Sequence, residues 1–275
     1  MARVPSDDEI GDVLERLDAP QDALRLAVGR ATIPLTSLDK VLWPDARPAQ
    51  TKRDLLRYLA RVSPAMLRHL AGRPVFVSRF PHGAGGESFY QKVWEEPPAF
   101  VHQRPVWSSD RGEARPLLFV DNLATLLWLG QQAALEYHVW FSRVTVGPDG
   151  RNLPTDYASG PEALAASRLN YPDFLVVDLD AYDYSGREAP GDEPELHRRG
   201  FHRVRTVALE VRRVAEALGL SAFVKTSGRT GLHLYLPIRR VHPYEEVRAM
   251  AQTLGNFLRA LRPDDVTVAW AVRER

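Results

Sequence analysis

The sequence predicts an α+β protein built from antiparallel or mixed sheets, on two observations. Strand-like stretches outnumber helical ones along the 275 residues. They also come in adjacent pairs, as at 222–226 and 232–238, instead of alternating one for one with helices. A regular strand–helix alternation would point to a doubly wound sheet, and it is not there.

The elements follow in order. Ser6 is placed to cap a helix carrying Ile10, Val13, Leu14 and Leu17, which stops near Ala19 and Pro20. Residues 1–30 therefore read as a short helical extension, and 31–275 as the main domain. TSLDKVLWP, 36–44, reads as a compact loop and turn. Thr51 to Asp54 has the pattern of a capping box ahead of Leu55, Leu59 and Val62. Ser63 and Pro64 predict the start of a second helix that ends at Gly72. PVFVSRF is strand-like, then come the glycine turn HGAGGE and a strand FYQKVW. Leu117 to Asp121 predicts a strand, with Asp121 capping a helix through Leu123, Leu126, Leu127, Gly130 and Ala134. Glu136 to Arg143 reads as a strand and 147–161 as turns.

Phe174 to Leu179 is apolar and β-branched, and it leads into Asp178 and Asp180. A charged loop of about twenty residues follows, a length usually functional or disordered. Val204 to Leu218 is an amphipathic helix stopped by Gly219. Ala222 to Thr226 and Leu232 to Ile238 are strands around the turn Ser227 to Gly231. A last helix from Pro243 is expected to turn Val247, Met250, Leu254, Phe257 and Leu261 inward. VTVAWAV, 266–272, is a final strand.

Composition bounds the function. The chain is 44% hydrophobic and 26% charged, with a net charge of +1 and no cysteine. It is large enough for a substantial core. Disulfides and thiolate metal sites are excluded, and a reducing compartment is compatible. A net charge of +1 confines any nucleic-acid site to a local patch. Only four of the 36 basic residues are Lys. That reflects either codon usage or the fit of arginine forks to phosphates. Neither a membrane helix nor a leader is read from the sequence.

The chemistry concentrates between 171 and 238. Side chains on a strand alternate faces, so Asp178 and Asp180 point the same way, with Cα atoms roughly 6.5 to 7 Å apart. Carboxylates so spaced suit one divalent ion, or a pair of ions ~3.5 to 4 Å apart. The plain alternative is that both acids end a strand in solvent, but a buried pair without a cation costs several kcal/mol. The Ser227 to Gly231 turn is either an ordinary hairpin loop or a set of backbone N–H groups facing an anion. Leu232, Leu234 and Leu236 share one face of the next strand, and His233 and Tyr235 the other. If the two strands are neighbours, Asp178, Asp180, Ser227 and His233 converge. Lys40, Lys52 and Arg53 surround a helix N-terminus, which favours a phosphate, though they also suit a solvated surface. Phe89 and Tyr90, beside Lys92, are either core or a stacking platform for bases. His138, between Tyr137 and Trp140, is equally open.

With these residues laid out, the chain resembles the polymerase domain of bacterial ligase D, in the archaeo-eukaryotic primase superfamily. The likeness runs from about residue 34 to the last. It is carried by LTSLDKVLWPDARPAQTKRDLLRYL, HLAGRPVFVSRFPHG, DNLATLLWLGQQAALEYHVW, YPDFLVVDLD and KTSGRTGLHLYLP. It implies two antiparallel-rich sheets with flanking helices around a cleft. The implied activity is nucleotide addition at DNA ends or gaps during non-homologous end joining, with Mn²⁺ or Mg²⁺. Asp178 and Asp180 would hold the metal. Ser227 and His233, with Arg229 between them, would contact the triphosphate of an incoming NTP or dNTP, and His138 would lie near that nucleotide. Lys40 and Lys52, with Arg53 adjoining, would grip a 5′-phosphate, and Phe89 and Tyr90 would pack on the template. Ku and a separate ligase chain are the implied partners, and the bacterial cytoplasm near the nucleoid the implied location.

Two departures qualify the resemblance. Thr230 stands where members often carry Lys. The family also continues past VTVAWAVRER to a strand with a third metal-binding Asp, so the domain is expected to be C-terminally incomplete. Neither Asp183 nor Asp265 occupies that position. A non-catalytic DNA-end-binding module is therefore a second reading. A phosphohydrolase built on the strand-terminal acids is a third, disfavoured by the paired strands at 222–238.

Overall fold

A computed structural model describes residues 3–181, 197–228 and 230–269. They form a mixed α+β fold of small antiparallel sheets and helices, in two compact units. The first comprises residues 1–147 and 152–169, and the second 148–151 and 170–275.

The first unit opens with α1 (Asp7–Leu17), where the Glu9 N–H donates to Ser6 Oγ at 3.2 Å. Its apolar stripe buries Ile10, Val13 and Leu17. β1 (Leu24–Val28) and β2 (Ala31–Leu35) then make a hairpin in register Leu24↔Leu35. That hairpin crosses the boundary expected at residue 30, and Val13, Leu17 and Leu26 lie in the main core of the unit. β3 (Val41–Trp43) pairs with β4 (Gln50–Thr51) and leads into α2 (Lys52–Leu70). Thr51 and Asp54 form the expected capping box.

One expectation fails here. α2 is a single 19-residue helix with Pro64 inside it, not two helices. Proline has no N–H to offer the carbonyl four residues back. Ser63 Oγ donates to that carbonyl, Ala60 O, at 2.7 Å, so the helix continues.

β5 (Pro74–Arg79) is the hub of the larger sheet. β6 (Phe89–Gln91) and β8 (Glu113–Phe119) pair with it, and β7 (His102–Ser108) extends the sheet beyond β8. α3 (Leu123–Gln131) is capped by Asn122, one residue later than expected. Asp121 Oδ1 instead accepts from the Gly72 N–H at 2.8 Å. Leu123 to Gly130 are all buried. Gly130 lets α2 come close, since a Cβ there would sit 2.7 Å from a Leu59 methyl. β9 (Ala134–Val139) pairs with β5, and the short α4 (Pro161–Ala166) ends the unit's helices.

The second unit is a three-stranded antiparallel sheet with two helices. β10 (Phe174–Leu179) pairs with β12 (Leu232–Pro237), which pairs with β11 (Phe223–Thr226). α5 (Arg198–Ala217) and α6 (Tyr244–Leu261) pack Val204, Val211, Val247 and Leu258 with Leu232, Leu234 and Leu236. The expected leucine face of β12 is therefore its buried face. Residues 148–151 are tied in by Arg240, 1% exposed, which bonds Asp149 through its backbone and guanidinium. α6 corrects another expectation. Met250, Phe257 and Leu261 are 41%, 53% and 53% exposed, because its apolar stripe is wider than the surface it covers. Residues 266–269 lie in no strand, and the rest of the expected last strand lies outside the described residues. Among the described residues no helix is long and apolar enough to cross a membrane.

Candidate functional site

In the second unit the antiparallel register sets Asp178 directly opposite His233. The imidazole Nε2 lies 3.3 Å from Asp178 Oδ1. The carboxylate is 62% exposed and the imidazole 27%, so the ring anchors an acid that faces solvent. Asp180 stands just past the end of β10. The turn after β11 closes on it. The Ser227 N–H donates to Gly231 O, and the Gly231 N–H donates to Ser227 Oγ, each at 3.0 Å. Gly231 is there for space: a Cβ would sit 2.3 Å from Leu179 O and 2.6 Å from Asp180 Oδ1. One strand end thus gathers Asp178, Asp180, Ser227 and His233. Arg229 lies outside the described residues.

Carboxylate oxygens are the donors that Mg²⁺ and Mn²⁺ take. Asp178, exposed and steered by His233, and Asp180 are the residues here that could hold such an ion. Among the described residues, however, no group of three or more His, Asp or Glu is disposed around one point.

The first unit holds the remaining predicted residues in two places. Lys52, at the start of α2, is 7% exposed and donates from Nζ to Thr36 O at 3.0 Å. Its N–H donates to Lys40 O at 2.9 Å, which brings the two lysines together. Burial first, and then the Lys40 charge, holds the Lys52 ammonium below its ordinary range, while Asp22 opposes. A cation desolvated beside another cation is primed for an anion. Arg53 does not join it. Its five N–H groups are spent on Leu17 O, Ala19 O, Gln21 O and twice on Asp39 Oδ1, at 2.7–3.2 Å. The side chain is 11% exposed, so it is a structural clasp with no donor left for DNA.

The second place is β6 with its partners β5 and β9, where Phe89 and Tyr90, being consecutive strand residues, lie on opposite faces. Phe89 and Tyr90 are 46% and 50% exposed. Lys92 Nζ lies 5.9 Å from the Tyr90 ring, and the Arg79 guanidinium 4.9 Å from the Phe89 ring. The His138 ring meets Tyr90 edge-on with centroids 5.0 Å apart. His138 Nε2 is 2.9 Å from Ser78 Oγ and 3.6 Å from Glu136 Oε2. Each exposed ring has its own cation alongside and can stack a base, but the two do not form one platform. Ser78 and Arg79 escaped the sequence reading because both sit within an apolar strand. Only the pairing of β5 with β6 and β9 reveals what they touch.

Residues 51–275 match the model of the LigD primase-polymerase domain family. The LigD proteins of Bacillus subtilis and Mycobacterium tuberculosis, both named for non-homologous end joining, are 28% and 31% identical over 242 and 257 residues. These alignments take in 87% of this chain, but only 32% and 29% of those proteins. The chain thus spans about a third of the length of the curated relatives it matches. A solved polymerase domain of M. tuberculosis ligase D, in complex with DNA, superposes with a TM-score of 0.64 at 28% identity. It covers 83% of this chain and 69% of that one. A family match reaching from Thr51, the N-cap of α2, to the last residue, with relatives and a solved domain that agree, leads to one assignment: this chain belongs to the LigD primase-polymerase domain family.

Proposed function

We propose that this chain is a DNA-repair nucleotidyltransferase that adds nucleotides to DNA ends or gaps during non-homologous end joining. The observation that carries the reading is the strand end where Asp178, held by His233, meets Asp180 and the Ser227 to Gly231 turn. Asp178 and Asp180 would hold Mn²⁺ or Mg²⁺, and the ion would neutralise charge developing on the transferred phosphoryl group. His233 and Ser227 orient the triphosphate of an NTP or dNTP, with Arg229 beside them. Lys52 and Lys40 hold a 5′-phosphate. Phe89 and Tyr90 pack on the template, and His138 borders the nucleotide. Ku and a ligase are the partners that end joining would require.

Primer extension on a gapped duplex with Mn²⁺ tests this. The parent extends the primer, chelation abolishes extension, and Asp178→Ala lowers the rate at least about a hundredfold. Equal extension by parent and variant would remove the acids from the mechanism.

A second reading is favoured by Lys52, which lies buried beside Lys40 at the start of α2 and suits a phosphate independently of the two acids. On it, the chain binds 5′-phosphorylated ends without chemistry. Tighter binding to a phosphorylated gap than to its unphosphorylated twin, abolished in Lys52→Ala, with no extension by the parent, would select this reading.

A further inference from the structure

The outward face of α5 has no part in the site described above. Its twenty residues hold six Arg and two Glu, a formal excess of four positive charges in a chain whose total is +1. The buried residues Val204, Val207, Val211 and Ala215 define the inward face. At 100° per residue, Arg198, Arg199, His202, Arg205 and Arg213 fall on the opposite side, with Arg212 at its edge. The two acids lie on the C-terminal half, where Glu216 pairs with Arg212 at 2.7 Å and Glu210 with Arg213 at 2.9 Å. Arg203 pairs with Asp265. Arg198, Arg199 and Arg205 are exposed and have no acidic partner among the described residues. The first turn contains no acid. Cations there oppose the helix dipole, so they do not serve the stability of the helix.

We infer that this face is a second DNA contact, which lies along the phosphate backbone of a duplex and reads no sequence. The inference rests on the reading that the chain acts on DNA, and it adds a surface that needs neither an end nor a 5′-phosphate. Arg198 to Arg205 spans roughly 10 Å of helix axis. An equal length of duplex presents about six phosphates. The three guanidinium groups with no acidic partner among the described residues match part of that row, and each phosphate neutralised releases counterions.

The test is a salt titration of binding to a blunt duplex without 5′-phosphates, followed by fluorescence anisotropy. Arg198→Gln/Arg199→Gln/Arg205→Gln is expected to flatten the log–log salt slope by about 2 to 3 and weaken low-salt binding about tenfold or more. The triple Arg→Lys variant keeps the parent slope, because counterion release needs charge and not a fork. Melting temperature checks that both variants fold. A Gln variant that melts like the parent and keeps its slope overturns the inference, as does a parent that does not bind this duplex. Lys52→Ala separates the two sites: it removes the preference for a 5′-phosphate and leaves the slope on unphosphorylated duplex alone. If the parent shows no such preference while the Gln variant still flattens the slope, the end-binding reading falls and the α5 surface stands.

Discussion

Lys52 shows how one residue carries both a cost and a use. Burial and Lys40 depress its proton affinity, so in the folded protein it deprotonates at a pH below 10.5. The unfolded chain keeps that proton longer and binds more protons across the window beneath 10.5. Stability from this group therefore rises with pH there, while the grip on a phosphate proposed for it would fall. Preference for a 5′-phosphorylated gap should fade as pH climbs toward 10.5, and Lys40→Ala should move that loss to higher pH. Anisotropy on matched gapped duplexes, read across pH, checks both. The two acids at the end of β10 were legible in sequence because a strand alternates its side chains with a period of two. Their anchoring by His233 depended on which strand lies opposite, and spacing along the chain does not encode that. Gly231 read as a turn residue; its real constraint is the carbonyl of Leu179.

At the level of elements, the helix and strand cores followed their apolar patterns, and the ends did not. The sequence signal at Ser63 and Pro64 is that of a helix start, yet α2 runs through it because the serine replaces the missing donor. Ser63→Ala should leave the Ala60 carbonyl without that bond and cost about 1 to 2 kcal/mol in urea denaturation. Adding Pro64→Ala restores an N–H and should recover most of the loss. The sequence places β1 in a helical extension, since five residues beside an amphipathic stretch give little periodicity of their own. The exposed residues of α6 were assigned inward for a related reason: a period states which residues share a face, not how much of that face is covered.

For the molecule as a whole, the α+β class and the family were legible because five separated motifs stand in order. The division into two units was not, since residues 148–151 belong with a later stretch through Arg240 and Asp149, a pairing of residues about ninety apart. The Arg53 clasp carries a practical consequence for anyone trimming this protein. The family match starts at residue 51, yet every acceptor of that guanidinium lies upstream, at 17, 19, 21 and 39. A 51–275 fragment would lose all five of those bonds together with Val13, Leu17, Leu26 and Ile33, which pack in the same core as Leu55, Leu56 and Leu59 of α2. Such a fragment should express insolubly or melt far below the 275-residue chain, and the matched boundary is the wrong place to cut.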